Sequence, residues 1–454
     1  MLIRLMPLDP RRQSFVSVGL FVLFTASAAS GDVVTAQYDA TDATANLRAA
    51  ILEAGPGGTV IVPPAEGTWF VSDDLGGGIK TGVLLDQPGQ TFQISDGVEI
   101  RARRGRFRDS FSTLFRIAAD GVVVRGAGPA GSILAMNKDD YTGGDYVPSQ
   151  YRHAIEVAGY RDIVIRDLTI NTAGGDGINL GGYFSSNPVI ENLSIDNVSI
   201  WRAHRNGISV SSVRDSVISN VGVWETEGVD PEAAIDVELD QTFQRVQNVL
   251  VRDSIFFDSA RRNLQFELFN YHNNSLDTEF GQSEGTPTGW VSISFERCQF
   301  IKSGRSNIYF GGPSGEAIDL PKNVPDWCWV NLTDCTVTDS GYEAVEFAHH
   351  YADTGMQLWF DGLLIENPGK IRDQSPAIAF RFGKSNYEMG DIGFYSGSRI
   401  VDDRDADVAF APDWVRASGF KNIAGVLAVR TSAPSLRLRL GDNLRNVTLS
   451  AFRD

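Results

Sequence analysis

Six short runs along the chain share one alternation of apolar and polar positions. They are Asp176-Gly-Ile-Asn-Leu-Gly181, Asn206-Gly-Ile-Ser-Val-Ser211, Ala234-Ile-Asp-Val-Glu238, Asn263-Leu-Gln-Phe-Glu267, Asn307-Ile-Tyr-Phe-Gly311 and Ala344-Val-Glu-Phe-Ala348. The first three recur about every thirty residues or fewer, and one strand template per repeat is the signature of a solenoid. Alternate residues of a strand share a face, so Ile178, Ile208, Ile235, Leu264, Ile308 and Val345 are expected to point inward and stack. Asp236, Glu238, Glu267 and Glu346 then fall on one outer wall. A second template, apolar-x-apolar-x-(Asp/Asn)-x-apolar, precedes these strands, as in Ile163-Val-Ile-Arg-Asp-Leu-Thr-Ile170 and Val249-Leu-Val-Arg-Asp-Ser-Ile255. Two or three short strands per repeat with polar corners predict an all-β chain wound as a single-stranded parallel β-helix, each coil rising about 4.8 Å. A leucine-rich horseshoe lacks its leucine-asparagine consensus here, and the early spacing is too tight for propeller blades.

Asp42-Ala-Thr-Ala-Asn-Leu-Arg-Ala-Ala-Ile-Leu-Glu-Ala-Gly55 reads as a helix, opened by an aspartate cap and stopped by glycine, and Thr59-Val-Ile-Val-Pro63 follows as a strand. A solenoid needs its first apolar layer covered, which an amphipathic helix does. The helix-then-strand order resembles right-handed parallel β-helix proteins of the pectate-lyase-like group. The resemblance implies a right-handed winding, an N-terminal capping helix and action on carbohydrate. The expected organisation is a signal peptide over 1–28, a β-helix over 37–400 with its cap helix at 42–55, and an irregular C-terminal β cap over 401–454, where Leu436-Arg-Leu-Arg-Leu440 forms a last strand. Two long insertions, Phe269 to Trp290 and Gly311 to Trp327, leave directly after outer-wall strands and are expected to rise beside the acids.

The chain of 454 residues is 42% hydrophobic and carries a formal charge of −17, which disfavours nucleic acid as a partner. An acidic polysaccharide is still compatible, since a local arginine cluster can sit on an acidic surface. Arg11 and Arg12 precede the apolar run Phe15 to Phe24, and Ala26-Ser-Ala28 supplies small residues for cleavage. This predicts export to the periplasm or beyond the cell, with no membrane association after cleavage. Cys298 and Cys335 occupy equivalent places in successive repeats and are expected to be buried, and neither they nor Cys328 stand at zinc-ligand spacing.

Asp236 and Glu238 lie two residues apart on one strand face, about 7 Å apart at Cα, and Glu267 aligns with Glu238 one coil later at about 4.8 Å. Like charges so close raise one pKa. Glycoside hydrolysis needs such a set: one protonated carboxylic acid and one carboxylate. Asp236, Glu238 and Glu267 are therefore the candidate catalytic residues. No cofactor is required by this chemistry, although Asp230, Glu232 and Asp236 offer oxygens suited to Ca2+. The candidate substrate contacts are Asp176, His204, Arg205, Arg261, Arg262, Gln265, Tyr309 and Glu346, with Trp201 and Tyr271 as stacking surfaces for sugar rings. Trp224 and Tyr183 are further stacking candidates, and His349-His350 follow the Glu346 strand. Arg202, Arg205, Arg261 and Arg262 are placed to meet a sugar carboxylate or sulfate, or to neutralise the acids.

Glu227-Gly-Val-Asp-Pro-Glu-Ala-Ala-Ile-Asp-Val-Glu238 resembles a Pro-Glu-Ala-Ile-Asp-apolar-Glu run of bacterial β-helix proteins linked to carbohydrate processing. Polygalacturonases of this fold carry Asn-Thr-Asp, Asp-Asp, Gly-His-Gly and Arg-Ile-Lys. Here Asn171-Thr172-Ala173, Gly175-Asp176 and Arg205-Asn206-Gly207 stand instead, with no Arg-Ile-Lys, so those sites do not carry over. The readings in play are a glycoside hydrolase, a lyase or uronate epimerase using Ca2+ or arginine, and a non-catalytic glycan-binding solenoid.

Overall fold

The computed structural model describes residues 31–453 apart from 77, 158, 182–188, 240–243, 268–290, 312–327, 351–356, 372–374, 376, 383–391, 403–422 and 432–447. The export segment, both long insertions, Tyr183, Tyr271 and Leu436–Leu440 lie outside the described residues, as do the side chains of His349 and His350.

Every strand pairing among the described residues is parallel, strands inside the stack bonding to their counterparts in the coils before and after, and the chain is a right-handed parallel β-helix. A ten-stranded sheet contains all six alternating runs. The strands Ile178–Leu180, Ile208–Val210, Ala233–Glu238, Arg262–Glu267, Ile308–Gly311 and Val345–His350 are successive members of it. Their register aligns Ile178, Ile208, Ile235, Leu264, Ile308 and Val345, all fully buried, as the alternation predicted. A second inward row turns aromatic, with Phe310 stacked on Phe347 at 5.3 Å between ring centroids.

The 24-stranded sheet is folded along its length. The strand Val164–Asn171 pairs through its first half with Val123–Arg125 and through its second with Ser132–Ala135, with Asp167 at the bend. Asp167, Asn197 and Asp253 take φ of +59°, +53° and +51°. Asp and Asn tolerate this left-handed region better than other non-glycine residues. The Asp/Asn of the second template is thus the residue that turns the corner, and Asn197 Nδ2 donates to Asp167 Oδ1 of the coil before at 2.8 Å.

The helix Thr44–Ala54 lays Leu47, Ala50, Ile51 and Ala54 over the first coil. Its N-cap is Ala43 rather than Asp42, whose carboxylate instead accepts the Thr44 N–H at 3.1 Å. Gly55, at φ +63°, ends it, and Gln90 Nε2 clamps the helix end by donating to the Ile51 carbonyl at 2.9 Å, which also accepts the Gly55 N–H, and to the Gly55 carbonyl at 3.2 Å. Cys298, Cys328 and Cys335 are buried and free. No described helix is long and apolar enough to cross a membrane.

Ile235 lies in the inward stack beneath the acidic strand, where neighbouring coils hold the space open. Ile235→Ala is expected to cost about 2–5 kcal/mol, read as a lowered thermal midpoint with retained strand signal in circular dichroism.

Candidate active site

The outward positions of the ten-stranded sheet form two rows. One runs Asn179, Ser209, Asp236, Gln265, Tyr309, Glu346, and the other places Glu238 beside Glu267 and then Gly311. Glu238 and Glu267 are therefore register partners, as the alternation implied.

Two places before the inward isoleucines, where the chain swings from corner into strand, stand His153, Asp176 and Asn206 in successive coils. Gly207, next to Asn206, lets the corner close: a Cβ there would overlap the Val223 side chain and the Ala234 carbonyl. The polar residues of this edge are wired together. Asp176 is completely buried, its Oδ2 taking Arg205 Nη1 at 3.2 Å and Asn179 Nδ2 at 3.1 Å while its Oδ1 takes the Asn206 N–H at 3.2 Å. His153 Nδ1 accepts the Asp176 N–H at 3.1 Å and lies 3.2 Å from Asp176 Oδ2. Arg205 turns its other terminal nitrogen to Glu238 Oε2, also at 3.2 Å, so one guanidinium bridges two carboxylates.

The charges sort accordingly. Burial opposes ionisation of Asp176, but the Arg205 guanidinium outweighs it and holds the carboxyl well below its usual range. Burial likewise disfavours the Arg205 cation, and Asp176, Asp236 and Glu238 more than offset that, raising its pKa. Asp236 goes the other way. It is 0% exposed, and burial followed by the nearby charge of Glu238 drives its pKa well above the usual carboxylate value. Asn206 Nδ2 donates to Asp236 Oδ2 at 2.9 Å, while Oδ1 has no hydrogen-bond partner. Asp236 is thus the carboxyl whose neutral form this wall favours. Expected as a catalytic carboxylate on an outer wall, it is covered in this conformation and has no surface to offer a sugar.

Glu267 is partly exposed and its carboxylate lies over Gly311, where a Cβ would overlap it. The Tyr309 hydroxyl hydrogen-bonds Glu267, and burial together with that carboxylate pushes the phenol pKa up. Arg262 Nη1 donates to Gln265 Oε1 at 2.6 Å, and its guanidinium lies 3.8 Å from the Tyr309 ring centroid. Glu346, 8% exposed, accepts from Ser306 Oγ at 2.8 Å.

Other candidates fall elsewhere. Arg261 pairs with Asp230 and with Glu232, at 3.2 Å for the latter. Among the described residues no three carboxylate, histidine or cysteine side chains gather as a metal ion would need. Arg202 pairs with Asp139 at 3.7 Å. His204 faces a corner occupied by Lys138, Glu232 and Asp139, and burial, then Lys138, pushes its pKa down. Trp201 and Trp224 stack at 5.1 Å on the 24-stranded sheet, not on the carboxylate wall. His153, Asn179, Asn206 and Ser209 were not among the candidates. For His153 the signal was present, because Ala154-Ile-Glu-Val157 is a further copy of the alternating run one coil before Asp176.

No family model matches the chain, and no curated protein sequence does either. Solved structures do match. The A-module of a mannuronan C-5 epimerase from Azotobacter vinelandii aligns over 91% of this chain and 98% of its own, with a TM-score of 0.58 at 14% identity. The catalytic unit of an α-1,3-glucanase of family GH87 from Streptomyces thermodiastaticus aligns over 94% of this chain and 69% of its own, with a TM-score of 0.55 at 11% identity. A family 28 exopolygalacturonase from Yersinia enterocolitica aligns over 92% and 78%, with a TM-score of 0.51 at 10% identity. These likenesses establish the right-handed β-helix expected from the resemblance. The three named activities differ, so the winding does not select among them.

Asp176 and Asp236 give stability opposite pH dependences. Asp176, with a lowered folded pKa, contributes stability above its unfolded value of about 3.9 that is lost as pH falls through the folded value. Asp236, with a raised one, contributes stability below about 3.9 that is lost as pH rises through the folded value. Asp176→Asn is expected to cost about 3–5 kcal/mol at neutral pH, and less on acidification. Asp236→Asn should gain on the wild type as pH rises. Thermal midpoints across a pH series check both.

Proposed function

We propose that this chain is an exported carbohydrate-active enzyme, secreted or periplasmic, that hydrolyses glycosidic bonds of a polysaccharide or oligosaccharide on the outer face of its ten-stranded sheet. The observation that carries this reading is the in-register pair Glu238 and Glu267, partly exposed on adjacent coils above the buried Asp236, whose neutral form burial favours. Glu238 is ion-paired with Arg205 and so stands as an anion, the form a general base requires. Glu267 is the remaining partly exposed carboxyl and takes the acid role. In the reaction Glu267 gives its proton to the glycosidic oxygen as the bond from that oxygen to the anomeric carbon breaks. A water attacks the anomeric carbon from the opposite face and passes its proton to Glu238. Asp236, uncharged beneath them, limits the negative charge that the pair must tolerate.

The two glutamates lean in opposite directions along the solenoid. Glu238 reaches back toward Arg205, anchored in the preceding coil, and Glu267 reaches forward over Gly311 in the following one. Opposite leans favour a carboxyl separation wider than the backbone spacing of about 4.8 Å, and so the inverting class, at roughly 6.5–9.5 Å, over the retaining one, at roughly 5–5.5 Å.

A second reading is favoured by Arg262 beside Tyr309: proton abstraction from a uronate, as in a lyase or epimerase, with arginine neutralising the sugar carboxylate and the phenol serving as acid. An elimination would release an unsaturated product absorbing in the ultraviolet, and an epimerase would change sugar configuration without cleavage.

Digestion of a glycan panel with reducing-end and ultraviolet readouts separates these outcomes. Hydrolysis is expected, with Glu238→Gln and Glu267→Gln each lowering kcat by about 10²–10⁴ at preserved thermal stability. Full activity in both variants would remove the assignment. Proton NMR of the first-formed anomer should show inversion, and retention would overturn the spacing argument.

A further inference from the structure

Arg205, Arg261 and Arg262, which enter this wall from its corner, are held in unlike ways. Arg205 meets Asp176 and Glu238, and Arg261 meets Asp230 and Glu232. Arg262 forms no ion pair among the described residues. It is held by neutral groups, the Gln265 side-chain carbonyl at 2.6 Å and the face of the Tyr309 ring at 3.8 Å. Its Nε is buried with no hydrogen-bond partner. Burial lowers its pKa, yet a guanidinium stays protonated in proteins, so the positive charge remains. Glu346 and Glu267 act on this cation only from a distance and do not outweigh its burial, so a contacting anion would repay a cost that the wall itself leaves open. The two supports also fix the plane of the fork. The ring holds one face and Gln265 one edge, leaving a rigid donor array of the kind that binds planar or tetrahedral oxyanions through two parallel hydrogen bonds.

Position completes the argument. Gln265 and Tyr309 are the register neighbours that follow Asp236 along one outward row, so Arg262 stands within one coil of the carboxylates. With the chain at −17, an oxyanion is repelled by the rest of the surface, which makes a dedicated cation the recognition element rather than a diffuse basic patch.

We propose that Arg262, oriented by Gln265 and Tyr309, is an oxyanion subsite that takes the carboxylate of a uronic acid residue or the sulfate ester of a sugar, so that the glycan bound on this wall is acidic. The inference rests on the reading of the wall as a glycan site, but not on whether the reaction is hydrolysis.

Affinity electrophoresis of the full chain in gels containing polygalacturonate, carboxyl-reduced polygalacturonate, dextran sulfate or dextran tests it. The wild type is expected to be retarded by polygalacturonate or by dextran sulfate and not by the neutral counterpart. Arg262→Gln should weaken that retardation by about tenfold or more, and Arg262→Lys, which keeps the charge but not the fork, should lie between. Retardation by polygalacturonate assigns a carboxylate, and retardation by dextran sulfate alone assigns a sulfate. Unchanged retardation of Arg262→Gln, a wild type that prefers the neutral polymers, or a wild type retarded by none of the four would overturn the proposal. Thermal midpoints show whether each variant is folded, and if Arg262→Gln is not, the comparison of Arg262→Lys with the wild type decides. Glu238→Gln is run alongside. If it keeps full turnover while Arg262→Gln loses acidic-glycan binding, the hydrolytic roles fall and the oxyanion subsite stands. Loss of turnover in Glu238→Gln with neutral-polymer binding gives the converse.

Discussion

Parallel pairing in strict register fixes what every other feature of this molecule does. Once Ile208, Ile235, Leu264 and Ile308 stack inside, each outward residue of one coil has a defined neighbour in the next. A shift of one residue would turn every inward side chain to solvent. The apolar stack therefore holds Glu238 beside Glu267 more firmly than any contact between the two acids could. Their mutual repulsion is a local cost borne by the core beneath them.

That cost is distributed by partners of different kinds. Asp176 and Glu238 share one guanidinium, Asp236 gives up its charge under burial, and Glu267 takes a phenol hydroxyl. The result is a graded wall, with the charged carboxylate favoured at the Arg205 end and the neutral form at its buried middle. Asp176 and Asp236, of the same intrinsic acidity, are shifted in opposite directions by environment alone. Acid–base chemistry requires that separation, and a uniformly solvated acidic surface would not supply it.

The inward row and the pairing of Glu238 with Glu267 were legible because a two-residue period leaves no choice of face once the apolar positions are aligned. The Asp/Asn of the second template was legible as a recurring residue, and its reason became clear only from the left-handed backbone at Asp167 and Asn197. The burial of Asp236 was not legible. Alternation gives the face on which a residue lies, whereas its cover comes from groups such as Arg205 and Asn206 that reach over from the preceding coil. Arg261 and Arg262 show the same limit, since adjacent arginines at one corner diverge toward acids in one case and toward an aromatic face in the other. Trp201 was drawn toward the wall by its closeness in sequence to Arg205, but the corner between them puts it on the other sheet. Side-chain reach around a corner depends on neighbours that a linear pattern does not contain.

A solenoid of this kind also acts as a ruler. Its coils advance by one strand spacing, about 4.8 Å, close to the length of a sugar unit in an extended chain. A glycan lying along the axis would pass over the coils of Ser209, Asp236, Gln265, Tyr309 and Glu346 in turn, one rung per monomer. Chemistry tied to one rung and recognition tied to the next then keep a fixed offset along the polymer. Such a scaffold can read the pattern of units in a chain, and lengthening the loops beside it leaves the graduations of the scale where they are.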